Sequence, residues 1–160
     1  MSTPEEIRAM EHKHVKMSYN KINELIYAGN NLCCQTHFEE ELLAKGITAD
    51  ISLELERLDN PTGVKYFFWF PWEEETAPTT ELVILALQTL DNLSKQDIKT
   101  YVHCKNGHGR TSTFLGSYFI YKHHLTAEES LREVRKKRPS MHLNDRQKDF
   151  LRKFEKRIKT

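Results

Sequence analysis

Residues 100–114 read TYVHCKNGHGRTSTF, and this stretch decides the fold. It opens on the β-prone run Thr100 to His103, passes through a glycine loop, and from Arg110 continues into an apolar segment with Phe114, Leu115, Tyr118, Phe119, Ile120 and Tyr121. Strand, loop and helix in that order, with Cys104 and Arg110 bracketing the loop, make a device for holding a phosphate dianion. Loop amides and the helix N-terminus aim donors at the oxygens, and Arg110 adds a planar, two-toothed contact that a lysine point charge does not supply. Gly107 and Gly109 allow backbone angles closed to other residues, so the amides can converge. The same cradle favours a thiolate at Cys104, the form that attacks phosphorus. Thr111 can donate a hydrogen bond that helps the sulfur leave in a second step, and His103 can orient the loop from behind. Lys105, Asn106, Gly107, His108 and Gly109 complete the phosphate-binding set, with Lys105 and His108 serving either as substrate contacts or as polar loop tips.

The helix that begins at Arg110 and runs to His124 is apolar on most faces, which predicts a central, buried element. Before the loop, Thr79 or Thr80 can cap a helix carrying Leu82, Leu85, Ala86, Leu90 and Leu93. The aromatic run Tyr66 to Phe70 predicts a strand that is apolar on both faces, as in a covered sheet. Ile47 to Leu55 reads as another strand, followed by a turn at Asp59-Asn60-Pro61-Thr62-Gly63. Gln35 to Lys45 reads as a helix with Phe38, Leu42 and Leu43 on one face and Gly46 at its C-cap, and Ile22 to Gly29 as an edge strand or hairpin. After the central helix, Thr126 with Glu129 forms a capping box for a helix that carries Leu131 and Val134 and stops before Pro139. Asn144 with Gln147 starts a last helix whose apolar face is Phe150, Leu151, Phe154 and Ile158. Strands interleaved with helices predict an α/β fold, a central, mostly parallel sheet flanked by helices. The expected organisation is an N-terminal segment, 1–19, and a single domain, 20–160.

A chain of 160 residues with 38% hydrophobic and 29% charged residues can bury a core without disulfides or structural metal. A net charge of +1 gives no global reason to bind nucleic acid or an anionic membrane, although the C-terminal third is richer in Lys and Arg. The run Lys136-Lys137-Arg138 reads as a solvated helix end that complements the helix dipole. No apolar run approaches the roughly 18 residues of a membrane span, so a soluble, cytoplasmic monomer is expected. Three cysteines, with Cys33 and Cys34 adjacent, make a poor disulfide framework and suit a reducing compartment. Cys33 and Cys34 read as buried residues at a helix start. No Cys-x2-Cys pair exists for zinc, and the chemistry needs neither metal nor cofactor.

The pattern His103-Cys104-x2-Gly107-x2-Arg110-Thr111 resembles the signature of the protein tyrosine phosphatase superfamily, and a chain this short resembles its compact dual-specificity members. Tyr27-Ala28-Gly29-Asn30, Gly46-Ile47-Thr48 and the closing Asn144-x2-Gln147-x2-Phe150-Leu151 are similar to further stretches of that family. The resemblance implies two-step hydrolysis of phosphate monoesters, protein phosphotyrosine or phosphoserine/threonine above all, through a cysteinyl-phosphate. The alternatives are a phosphoinositide or other non-protein phosphatase, and a phosphate-binding pseudophosphatase. It also implies a general acid on a second loop, four residues before a Pro-Thr pair, where this chain places Glu74 instead of aspartate. The extra methylene moves the carboxyl by about an ångström, a displacement that can cost roughly a hundredfold in rate. Glu73 and Glu75 remain alternatives, Asp59 is a weaker one, and all three glutamates can equally be acidic surface. Gln147 either positions the hydrolytic water, as in relatives, or only completes a helix cap.

Overall fold

The computed structural model describes residues 1, 3, 4, 17–31 and 38–160. Five strands form one sheet: β1 (Tyr19–Lys21), β2 (Ile26–Asn30), β3 (Ile47–Glu54), β4 (Tyr66–Trp72) and β5 (Lys99–Cys104), in the order β1-β2-β5-β3-β4. Only the β1–β2 pair is antiparallel, so the expected α/β architecture with a mostly parallel sheet is present. The expected hairpin at the start exists because Asn23 makes an Asx turn: its Oδ1 accepts from Leu25 N at 2.8 Å and Ile26 N at 2.9 Å. It begins at Tyr19, and β2 itself lies inside the sheet rather than at its edge.

Among the described residues, α1 (Thr80–Lys95) lies between β4 and β5, and α2 (Arg110–His123), α3 (Ala127–Lys137) and α4 (Asp145–Lys159) follow β5. α2 packs against β2 and β5 and touches all three other helices. It is buried from Arg110 through Ile120, as its apolar composition predicts. Each large apolar side chain buried there contributes about 1.5–3 kcal/mol. The capping boxes at Thr126/Glu129 and Asn144/Gln147 both form, and Thr79 rather than Thr80 caps α1.

Strand alternation sorts the central residues between the two faces of the sheet. Ile26, Ala28, Ala49, Ile51, Val102 and Cys104 join the main core with the helices. Tyr27 and Tyr101 face the other way onto a smaller cluster with Leu42, which Ile47 joins across a register shift between Ile47 and Ala49.

Four expectations change. β4 is an edge strand with Tyr66 and Trp69 exposed, because β3 pairs with it on one side and no strand among the described residues pairs with the other. Its aromatic run reflects strand propensity rather than burial on both faces. α1 buries Val83, Ala86, Leu87, Leu90 and Leu93, leaving Leu85 half exposed on the opposite side of the 3.6-residue period. The described part of the expected helix 35–45 is a π-helical turn (Phe38–Leu42) leading into a 3₁₀ turn (Leu43–Lys45), closed at Gly46. Cys33 and Cys34 lie outside the described residues. Arg138, expected in solvent, is fully buried for a reason that belongs to the site.

Candidate active site

β5 delivers Cys104 to the mouth of the sheet, and the chain turns through Lys105–Gly109 into α2. Cys104 is 2% exposed, and its Sγ accepts from Gly107 N at 3.1 Å and Thr111 Oγ1 at 3.0 Å. The Thr111 hydroxyl also lies 3.2 Å from Gly29 O. It has one proton to give, so it can serve the sulfur or the carbonyl but not both fully. α1, α3 and α4 each begin with a side-chain cap, whereas α2 begins at Gly109 with none. Its first amides are therefore left for an anion in the cleft.

Two glycines make the loop possible. Gly107 sits at φ 75°, where a Cβ would lie 2.6 Å from Arg138 Nη2 and 2.7 Å from Asn30 N. Gly29 passes so close to β1 that a Cβ would fall 2.2 Å from Ser18 O. Arg138 explains its own burial here: Nε donates to Gly107 O at 2.7 Å and Nη1 to Asn20 Oδ1 at 2.8 Å. Burial pulls its guanidinium below the usual arginine range, against the pull of Tyr101 and Cys104. Asn31 N adds a bond to Lys105 O at 3.1 Å, so the loop is tied from behind to β1 and β2.

Arg110 is 2% exposed and held by groups outside the loop. Its Nη1 donates to Glu56 Oε1 at 2.6 Å and to Trp72 O at 3.0 Å. Its Nη2 is buried and has no hydrogen-bond partner among the described residues, so this donor remains for a phosphate oxygen. Burial pushes the Glu56 carboxyl up, but the hydrogen bond and charge of Arg110, with Lys105 and a backbone amide, hold it below the usual range.

Behind the loop, alternation along β5 turns His103 to the opposite face from Cys104, into a wholly buried cluster with Asp50 and Asp59. His103 Nε2 lies 2.8 Å from Asp50 Oδ1 and 3.6 Å from Asp59 Oδ2, charge contacts rather than aligned hydrogen bonds. Arg57 Nε meets Asp59 Oδ1 at 2.8 Å, and Asn31 Nδ2 donates to Asp59 Oδ2 at 3.1 Å. Burial alone would lower the imidazole, but Asp50 above all, with Asp59 and Glu54, raises it above the ordinary histidine value. Burial likewise raises Asp50, which His103 only partly offsets. Asp59 thus lies in this rear cluster, away from the cleft where an acid would act.

The cleft over Cys104 has a volume of about 320 Å³ and is lined by Glu74, Glu75, Asn106, His108, Arg110 and Gln147 among others. Asn106 Nδ2 donates to Glu74 Oε1 at 2.7 Å. Glu75 lines the cleft but adopts φ 67°, and its carbonyl accepts from Asn144 Nδ2 at 2.7 Å. Gln147 Nε2 approaches Thr76 O at 3.4 Å and also lies over Gly109, so the capping glutamine faces the cleft as well as completing the cap. Glu73 is exposed and does not line the cleft. His108 turns its Nδ1 to Ser140 O at 2.8 Å, which requires the proton on Nδ1 and leaves Nε2 unengaged by that bond. His142, exposed beside it, completes the rim. Lys105 lies on the outer side of the loop, lining a neighbouring recess with Glu56 and Arg57.

The residues missed in sequence are therefore supports: Glu56 and Trp72 O on Arg110, Arg138 on Gly107, and Asn144 on the acidic loop, while Asn106, expected at the phosphate, turns its side chain to Glu74. Arg138 was hidden in a charge run, and its place before Pro139 gave no sign of burial. The others depend on contacts between distant segments, for which a single sequence carries no signal.

A buried thiol at the C-terminal end of a parallel strand, an uncapped helix following the glycine loop, and a fixed arginine define the cysteine-dependent phosphatase class. Residues 26–157 match the family model described as "Dual specificity phosphatase, catalytic domain", and the chain belongs to that family. It is 37% identical over 82 residues to the human "Phosphatidylglycerophosphatase and protein-tyrosine phosphatase 1", covering 45% of this chain and 41% of that protein. It is 26% identical over 138 residues to the Saccharomyces cerevisiae "Tyrosine-protein phosphatase CDC14", covering 86% of this chain but 23% of the yeast protein. The chain thus spans less than half of either relative. The solved structure of Tk-PTP in the active form superposes with a TM-score of 0.79 at 24% identity, over 88% of this chain and 98% of the other, and so shares the fold. Among the described residues, no helix is long and apolar enough to cross a membrane.

Proposed function

We propose that the protein hydrolyses phosphate monoesters on proteins, as a phosphotyrosine or dual-specificity phosphatase, through a cysteinyl-phosphate. The observation that carries this reading is the Cys104 sulfur held by Gly107 N and Thr111 Oγ1 at the uncapped start of α2. In the first step the thiolate attacks phosphorus, the S–P bond forms as the P–O bond breaks, and Glu74 protonates the departing oxygen. Arg110, fixed by Glu56, and the amides from Lys105 to Gly109 stabilise the equatorial oxygens. In the second step water attacks phosphorus and returns a proton to the Glu74 carboxylate, while Thr111 shifts its hydrogen bond onto the leaving sulfur. His103 acts as a positioning residue behind the loop. We infer that no metal or cofactor takes part, and that the protein works as a monomer in the reducing cytoplasm.

A lipid-linked phosphate monoester is the second reading, favoured by the name of the human relative. Phosphate release measured across phosphopeptides, inositol phosphates and phosphorylated lipid in vesicles separates the two. Cys104→Ser is expected to abolish all turnover. Glu74→Gln is expected to slow alkyl esters far more than p-nitrophenyl phosphate, whose anion leaves without a proton. Turnover that survives Cys104→Ser overturns the thiolate mechanism, no turnover on any ester makes the protein a phosphate binder, and equal losses across leaving groups remove Glu74 as the acid.

A further inference from the structure

We propose that the Asn106 side chain is a positioning residue that orients the acid Glu74 and decides which of its two oxygens carries the proton. The inference rests on Glu74 being the acid. Its observation is the 2.7 Å bond from Asn106 Nδ2 to Glu74 Oε1, which joins the nucleophile loop to a loop 32 residues earlier in the chain.

Three physical consequences follow from that bond. Glutamate has one more rotatable bond than the aspartate this site resembles, so its carboxyl is harder to hold in one place. Both groups are at the surface, where an unrestrained glutamate samples several rotamers. A bond from the loop that also cradles the phosphate fixes the carboxyl relative to the phosphorus itself. The second consequence concerns the proton. An amide NH₂ can only donate, and the carbonyl oxygen of a neutral carboxyl is its better acceptor, so the bond to Oε1 favours the acidic proton of neutral Glu74 on Oε2. Oε2 is then the oxygen that faces the ester. The third concerns the course of the reaction: as Oε2–H passes its proton to the bridging oxygen, Glu74 becomes a carboxylate, and a hydrogen bond to a charged acceptor is stronger than one to a neutral acceptor. Asn106 therefore stabilises the acid more after proton transfer than before it, and holds it ready to take a proton back from water.

Among the described residues, no other side chain bonds the Glu74 carboxyl. Asn144 and Gln147 hold the carbonyls of Glu75 and Thr76, placing the backbone but leaving the Glu74 side chain free to rotate. Arg110 is turned to Glu56 and Trp72.

The experiment is a double-mutant cycle on the full chain with Asn106→Asp, Asn106→Ala and Glu74→Gln, read on p-nitrophenyl phosphate and on an alkyl phosphate. Asn106→Asp keeps the shape of the side chain but, ionised, has no proton to give, which guards against a variant that fails only because the loop distorts. Expected is a loss in kcat of roughly ten- to a hundredfold on the alkyl ester for either Asn106 variant, at least about tenfold larger than on p-nitrophenyl phosphate. In the Glu74→Gln background the Asn106 substitutions are expected to add little further loss. Any repulsion of the phosphate by the new aspartate appears instead in KM, alike for both esters. Equal losses on both esters, or losses that add fully to Glu74→Gln, make Asn106 a shape residue of the loop and overturn the proposal while Glu74 stands. If Glu74→Gln is itself insensitive to the leaving group, the acid assignment falls first and the role of Asn106 falls with it.

Discussion

The two loops that meet over Cys104 are held in opposite ways. The nucleophile loop is clamped from behind by buried groups: Arg138 on Gly107 O, Asn31 N on Lys105 O, and the close passage of Gly29 against β1. The acidic loop from Glu73 to Ala77 is largely exposed and hangs from side chains of α4 and of the nucleophile loop. Buried bonds keep their geometry because breaking any one strands a desolvated partner, whereas exposed bonds exchange with water at little net cost. The difference matches the two tasks of the proposed mechanism, in which the buried loop is the preorganised anion cradle and the exposed loop carries the proton donor.

Arg110 couples the halves and tests the comparison hardest. Arg110→Lys conserves charge but cannot engage Glu56, Trp72 O and a phosphate oxygen at once, so kcat/KM on p-nitrophenyl phosphate should fall by roughly two to three orders of magnitude. Activity near wild type would remove the arginine fork from the mechanism.

Arg138→Met should act differently. It keeps the buried stem but leaves Gly107 O and Asn20 Oδ1 unpaired, so urea denaturation should show a loss of about 2–3 kcal/mol, with lowered turnover on every ester. A stability loss below about 0.5 kcal/mol would mean that the rear clamp does not hold the loop.

The smallest effect separates the rear of the site by pH. The carboxylates around His103 raise its folded value above the unfolded one of about 6.5, so the folded state binds its proton more tightly. That contribution is complete below the unfolded value and is lost as pH rises through the folded one; the raised Asp50 acts with the same sign in its own range. Unfolding free energy should therefore decline as pH rises above about 6.5, by at most about 1.4 kcal/mol per pH unit for one proton, and His103→Gln should flatten the slope. A rise in stability over that window would contradict the charged cluster.

Legibility in the sequence followed the range of the interactions. The strand, loop and helix around Cys104 were readable because residues 100–114 are contiguous, and the capping boxes were readable because their partners lie three residues apart. Strand order was not readable: the aromatic run of β4 and the mixed run of β2 suggested a covered and an edge strand, and the sheet places them the other way round. Propensity reports what suits a pleated surface, not which neighbours arrive. Leu85 shows the same limit on a helix, since several apolar residues in α1 admit more than one face. The Cys104 loop is legible because it is one contiguous stretch, while Glu56 and Arg138, which brace it, and Asn144, which holds the acidic loop, lie far along the chain from the groups they hold.

The central place of β5 has a consequence for how the molecule comes into being. β2 and β3 do not pair with each other; β5 lies between them, so Ile26 meets Thr100 and Ile51 meets Val102. Loop-closure entropy must be met before such distant parallel pairings return any stability, which makes assembly of this kind slow. A chain emerging from its N-terminus carries β2 and β3 with unsatisfied edges until the segment bearing the nucleophile inserts between them. The step that completes the sheet is thus the step that seats Cys104, and a chain that has not finished folding has no assembled cradle around its thiol.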